Sequence, residues 1–582
     1  MIKLLSFLKP YRPILVLVVV LALAQAIANL YLPTLFANIV DNGIIKGDTG
    51  YIWRTGSIML LITLGGTIAA VVGIFFSSQV ATGFGKIIRA RLFTHVAQFS
   101  LHEFDSMSTS SLITRTTNDT TQVQQVMVLV LNIMITAPFT LIAGIILALN
   151  QDVGLTWILA VVIPILVGTI VLLMSKAIPL FRIMQKKLDK LNLVLDEGLT
   201  GVRVVRAFDR KKYEEHRFDE ANLDLTNVAI KVNRMVASLM PIMMLCLNFS
   251  SVAILWFGAI RINNGQMQVG ALIAFLQYAM LILFALLMIS MMFIMLPRAA
   301  ASADRINEVL AIEPEIKDRD QVRRADKQKG YVEFQDVTFS YPGAEEPAIS
   351  HISFSAVPGE VTAIIGGTGS GKSTLVSLIP RFYDIDDGTG DHLLVDGVDV
   401  REMSQEHLRS KIGFVPQKAV LFSGTVAENI RYGKEDATDE EVRHAADVAQ
   451  ATEFISEMQD GFNSVIAQGG TNVSGGQKQR LSIARALVRK PEIYVFDDSF
   501  SALDFKTDAR LRAALKQETR ESTVLIVSQR VSTIMDADQI IVLDEGRIAG
   551  IGTHRDLMRS SEVYREIVSS QLSLEEIAEE IA

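Results

Sequence analysis

Two short stretches carry residue types and spacings suited to phosphate chemistry. The first is Gly366, Gly367, Thr368, Gly369, Ser370, Gly371, Lys372, Ser373 and Thr374. It fits the phosphate-binding loop G-x-x-x-x-G-K-[ST]. In that pattern the glycines let backbone N–H groups turn inward on phosphate oxygens, and the N-terminus of the following helix adds a favourable dipole. Lys372 would reach the β- and γ-phosphates, and Ser373 would ligate Mg2+. The second stretch lies more than a hundred residues downstream. It is the apolar run IYVF, which ends in two carboxylates, Asp497 and Asp498. A buried strand that delivers a carboxylate at its C-terminal end commonly holds a magnesium ion beside phosphates.

The surrounding sequence supplies elements to position both. AIIG before the loop reads as a buried strand, and STLVSLIPRF after it as a helix. YVEFQDVTFSY alternates like a strand, and ISHISFSAVPGEVTAIIG reads as two more. From Gly330 to about residue 560, apolar β runs alternate with helical segments, so a mostly parallel sheet with covering helices is expected over 330–582. The polar stretch 313–329 reads as a linker, and the acidic end SLEEIAEEIA as a solvated helix without a motif.

The first 312 residues read differently. The chain has 582 residues, too many for one core, and half are hydrophobic. Six stretches near 14–36, 56–80, 127–149, 153–175, 239–260 and 270–296 contain no Asp, Glu, Lys or Arg. Each is close to the ~20 residues that cross ~30 Å of hydrocarbon, so six transmembrane helices are expected. The first run is too long for a cleavable signal peptide. The connections 81–126 and 176–238 are long and basic. The second holds Lys186, Lys187, Lys190, Arg203, Arg206, Arg210, Lys211 and Lys212. The positive-inside rule puts both connections, both termini and the soluble domain in the cytoplasm. These connections are expected to prolong the membrane helices and to turn back through short helices near 104–111 and 207–216. The lead MIKLLSFLKPYRP is basic and amphipathic and suits an anionic lipid surface. A net charge of −8 argues against a nucleic-acid surface, and the single cysteine, Cys246, excludes an internal disulfide.

At residues 474–477 the chain reads Ser474, Gly475, Gly476, Gln477. This resembles the signature of the ATP-binding-cassette (ABC) family. Around it, Asp497 resembles the magnesium aspartate of the Walker B strand, and Tyr341 the aromatic that stacks on adenine. Gln417 resembles the Q-loop glutamine that senses γ-phosphate and metal. Residues 501–504, Ser-Ala-Leu-Asp, resemble the D-loop that ends at Asp504. The whole chain is similar to one half of a type IV ABC exporter, an α-helical membrane domain fused to an α/β P-loop nucleotide-binding domain. The resemblance implies ATP and Mg2+ as cofactors. It also implies a multi-pass protein of the bacterial cytoplasmic membrane, working as a dimer in which each ATP lies between one P-loop and the other chain's signature.

Three positions depart from the family pattern. Asp498 stands where the family has the glutamate that polarises the attacking water. Its carboxylate falls about 1.5 Å short. Gln529 stands at the switch histidine; an amide can hydrogen-bond a phosphate oxygen but cannot carry a proton. Gln468 stands where exporters usually have a glutamate, whereas the signature changes only at Val473. A weakened P-loop site beside a nearly intact signature resembles the degenerate-site half of heterodimeric bacterial multidrug exporters of the BmrC type. The implied partner is a second half-transporter with the glutamate and histidine in place, and the implied cargo is amphiphilic and drug-like. Methionines on the sixth apolar run (Met280, Met288, Met291, Met292, Met295) and the fifth (Met243, Met244) suit such cargo, or ordinary packing. The membrane polar residues Gln25, Asn29, Asn132, Gln277 and Tyr278 suit either helix–helix hydrogen bonds or a cavity lining. Two alternatives stay open: a homodimeric lipid or peptide flippase using Asp498 as base, and a non-transporting membrane protein that senses ATP.

Overall fold

The structure is a computed structural model that describes residues 2–571 apart from Asp320, 325–328 and 386–389. The acidic end expected to be a solvated helix lies outside the described residues. The chain forms two compact units, 1–97 with 109–312 and 98–108 with 313–582.

The first unit is built from six long helices, Lys3–Ile44, Thr49–Val96, Thr109–Gln151, Val153–Thr200, Lys211–Asn263 and Val269–Ala311. They run for 42 to 53 residues. At 1.5 Å per residue that is about 63–80 Å, twice the hydrocarbon thickness, so each helix extends well beyond its apolar run. Large apolar side chains such as Trp53, Leu60, Phe75 and Trp256 are exposed. In water such surface would be a liability, whereas lipid accepts it. Val269–Ala311 is the most buried of the six. Its Tyr278 is fully enclosed, with its hydroxyl at 2.9 Å from the Leu30 carbonyl and 2.5 Å from Thr34 Oγ1. Asn132 Oδ1 accepts from Ser77 Oγ at 3.1 Å. These two membrane polar residues therefore act as helix–helix contacts. Gln25, Asn29 and Gln277 have no hydrogen bond among the described residues.

Both short turning helices sit earlier than the sequence composition suggests. The one expected near 104–111 is Leu101–Met107, because Glu103 Oε2 accepts the Ser100 N–H at 2.6 Å and sets its start, and Ser108 ends it at φ 55°. The one expected near 207–216 is Val202–Ala207. Gly201 closes the preceding long helix, Asp209 turns the chain at φ 50°, and Lys211 already begins the next long helix. The stretch 98–108 packs with the second unit, where Glu103 Oε1 accepts the N–H of Glu315 at 3.1 Å.

The second unit has two main sheets. One has six strands in the order Arg547–Gly552, Gln539–Asp544, Val361–Gly366, Thr523–Val527, Ile493–Asp497 and Ile412–Val415. All its pairs are parallel except the edge pair of Arg547–Gly552 with Gln539–Asp544. The central strands are buried along their length, as expected for a sheet covered on both faces. The other sheet is antiparallel and contains Ile349–Ala356, Val332–Phe339, His392–Val395 and Val398–Asp399. Its alternating burial explains the period-2 pattern of YVEFQDVTFSY.

Candidate functional site

Four adjacent parallel strands deliver the candidate residues from their C-terminal ends. Val361–Gly366 leads into residues 366–374, and Ile493–Asp497 ends on Asp497. Ile412–Val415 is followed by Gln417, and Thr523–Val527 by Gln529. Ligand sites of parallel α/β sheets lie in this crevice beyond the strand ends.

Gly369 and Gly371 have φ of +85° and +92°. A Cβ on Gly371 would lie 2.6 Å from Ile349 and 2.8 Å from the Ala348 carbonyl, so glycine is required there. Gly367 and Thr368 are exposed at the rim of the loop, and Ser370 is buried beneath it. The Lys372 ammonium donates to Gly366 O at 2.9 Å and Gly367 O at 2.6 Å, and lies 3.3 Å from Ser370 Oγ. Burial pushes its pKa down, opposed by the carboxylates of Asp498 and Asp497. Polyphosphate oxygens would supply the negative partner that this desolvated cation lacks in its own loop.

Ser373 Oγ donates to Asp497 Oδ1 at 2.9 Å. Burial raises the pKa of Asp497, the Ser373 hydrogen bond and Lys372 lower it, and Asp498 raises it further. A hydroxyl and a buried carboxylate meeting at one point form an oxygen donor set that fits a small hard cation such as Mg2+. Tyr341 is partly exposed, and its hydroxyl lies 2.9 Å from Thr374 Oγ1. Its ring stands edge-on to Phe339 and Tyr383, with centroids 5.1 and 5.3 Å away. Those contacts fix the orientation of the ring.

Asp498 is held differently. Its backbone sits in the left-handed region at φ 44°, and its N–H donates to Val527 O at 3.0 Å. Its side chain is buried, and Oδ2 accepts from Gln417 Nε2 at 3.1 Å and from Gln529 Nε2 at 3.4 Å. Both partners come from neighbouring strands, and both are neutral amide donors. They bind the carboxylate without being able to exchange a proton with it.

Residues 474–477 stand apart from these groups. Ser474 caps the helix Gly475–Leu487, accepting from Gln477 N at 3.3 Å, while Gln477 Oε1 accepts from Ser474 N at 2.8 Å. Ser474 and Gly475 are exposed. Among the described residues, no hydrogen bond or ion pair joins 474–477 to 366–374. A Cβ on Gly476 would come within 3.1 Å of Ala502 O, so this helix start lies against residues 501–504. Asp504 caps the next helix, Phe505–Glu518, through Thr507 N at 2.9 Å, and that backbone bond lowers its pKa.

Sequence reasoning passed over Arg530. Its guanidinium donates to Ser501 O at 2.8 Å and Leu503 O at 3.3 Å, tying the segment after Asp498 to the segment that carries Gln529. A lone arginine beside Gln529 carries no motif spacing. Only its adjacency to Gln529 could have drawn attention to it.

Comparison with known proteins matches residues 15–287 to the ABC transporter transmembrane region and residues 349–501 to the ABC transporter family. An uncharacterised ABC transporter ATP-binding protein of Mycobacterium tuberculosis is 46% identical over 567 residues, 97% of each chain. A putative multidrug export ATP-binding/permease protein of Bacillus subtilis is 31% identical, covering 97% of this chain and 98% of its own. The solved structure of a bacterial Atm1-family ABC exporter with ATP bound superposes with a TM-score of 0.80 at 25% identity, covering 97% of this chain and 98% of that one. The six apolar helices, the crevice at the strand ends and these matches agree: the chain belongs to the ABC transporter family, with its membrane region and its α/β ATP-binding domain in one polypeptide.

Proposed function

We propose that this chain is one half of a heterodimeric ATP-driven exporter of amphiphilic compounds, and that its own P-loop site retains ATP rather than hydrolysing it. The observation that carries this reading is the state of Asp498. The carboxylate at the catalytic position is one methylene short and is tied down by the amides of Gln417 and Gln529. General-base catalysis needs a group that reaches the water and can pass the proton on. A shortfall of about 1 Å costs on the order of a hundredfold in rate.

Tyr341 would orient the base of ATP. The loop 366–374 and Lys372 would hold its phosphates, and Ser373, Asp497 and Gln417 would surround the metal. A bound Mg2+ would offset phosphate charge. Ser474 and Gly475 are exposed and 474–477 are supported by their own cap, and they would close on the ATP of the partner half-transporter. That partner supplies the glutamate and histidine missing here. The charge-free spans, with Gln25, Asn29 and Gln277 making no hydrogen bond among the described residues, favour apolar cargo with a few hydrogen-bonding groups. The orientation that fits the basic connections is a cytoplasmic ATP-binding domain in the bacterial inner membrane.

The test is partner-dependence. This chain, a half-transporter bearing both catalytic groups, and the pair together are placed in inverted vesicles. ATPase activity and uptake of an amphiphilic fluorescent compound are then measured. The expected result is slow ATPase from this chain alone and transport only by the pair. Brisk ATPase by this chain alone, abolished by Asp498→Asn, would overturn the reading in favour of a working homodimer. Nucleotide binding without uptake in any combination would favour an ATP sensor.

A further inference from the structure

Beyond the described motifs, one side chain holds the backbone of the switch segment from outside. Gln571 follows the helix Glu562–Ser569. Its Oε1 accepts the Val531 N–H at 2.9 Å, and its Nε2 donates to the Gln529 carbonyl at 2.8 Å. One amide thus pairs with the backbone on both sides of Arg530, as an adjacent strand would. Ser528 completes the grip, because its Oγ accepts the Arg530 N–H at 2.9 Å and donates to the Arg530 carbonyl at 3.2 Å. The strand ends at Val527, so side chains rather than a sheet fix these residues. The helix before Gln571 is a firm anchor: Tyr564 and Val568 are fully buried, and the Tyr564 hydroxyl lies 2.7 Å from His554 Nδ1.

We propose that Gln571 is a positioning residue for the switch segment, clamping the backbone around Arg530 so that Gln529 stays on Asp498 and Arg530 stays on the carbonyls of residues 501 and 503. This rests on the reading of residue 529 as the switch position. With the clamp in place, the side chain of Gln529 lies within reach of Asp498, and Arg530 spans to Ser501 and Leu503. Without it, residues 529–531 lose two hydrogen bonds on one edge and can retreat from the crevice. Gln571 is exposed, so replacing it opens no cavity.

The test uses the full-length chain in lipid nanodiscs with Mg2+ and radiolabelled ATP. Hydrogen exchange of residues 528–533 and the rate of ATP release are compared for the wild type, Gln571→Ala, Gln571→Glu and Gln529→Ala. In Gln571→Ala the segment exchanges faster and ATP leaves roughly five- to tenfold faster, within the range supported by two amide hydrogen bonds, while the melting temperature holds. Gln571→Glu keeps an acceptor for Val531, so that amide stays protected and release lies between the two. Unchanged exchange or release in Gln571→Ala, beside faster release in Gln529→Ala, overturns the clamp. Unchanged release in Gln529→Ala overturns the assignment of residue 529, and the clamp's role with it.

Discussion

The start of the helix Gly475–Leu487 and the pocket around Asp498 belong to the same domain and are built in opposite ways. Ser474 and Gly475 are exposed, and the capping box with Gln477 satisfies the helix end from within. Such an N-terminus keeps its remaining N–H groups and its dipole available to an anion brought from outside. Asp498 is buried and engaged by two amides from its own domain. One surface is prepared to meet a phosphate, whereas the other is turned in on itself. The proposed function rests on this difference: one chain would contribute well to one composite ATP site and poorly to another. In that proposal the departures from the family pattern are the side chains of Asp498 and Gln529, not the fold.

The largest effect that tests this contrast is expected from Ser474→Arg. In the proposed heterodimer a long cation at the exposed helix start would block the partner's ATP, and turnover of the pair should fall about a hundredfold or more, the scale on which catalytic geometry is lost. Steady-state ATPase checks this, and survival of more than a tenth of the activity would dissolve the contrast. Restoring the inward region is the converse change. Asp498→Glu with Gln529→His should raise ATPase of this chain alone by about tenfold, the low end of general-base contributions. Lys372→Ala comes next. It should abolish ATP binding at this chain's P-loop, checked by photolabelling, yet slow the pair only about two- to fivefold, since the partner's site retains its own lysine.

The smallest effect is on stability. Burial raises the Asp497 pKa above its ordinary 3.8 in the folded state. The folded protein therefore binds more protons than the unfolded one as pH climbs from about 4, and stability declines over that interval. Without nucleotide or metal, Asp497→Asn should raise the melting temperature by about 2 °C at pH 7, and the gain should vanish below pH 4. Thermal unfolding across pH checks both.

The contiguous features were legible because their physics is local. Twenty uncharged apolar residues span a bilayer whatever their neighbours are, and the glycines of 366–374 are placed by backbone conformation. The Ser100–Glu103 pairing was equally local and could have set the first turning helix correctly. What the sequence hid depends on strand order. Gln417 and Gln529 lie 81 and 31 residues from Asp498, and meet it only because their strands flank Ile493–Asp497. The contacts of Arg530 and Gln571 were hidden for another reason: both act on backbone atoms, which no side-chain pattern encodes. Tyr278 and Asn132 were ambiguous until their partners on other helices were seen.

The most direct test of the central claim is the state of the nucleotide on this chain during turnover. The pair is cycled with photoreactive ATP labelled at either the α- or the γ-phosphate, crosslinked, and separated into its two chains. Retention of ATP predicts that this chain carries both labels in equal amount while its partner carries chiefly the α label. A chain that carried the α label alone, as ADP formed at the rate of overall turnover, would contradict the account.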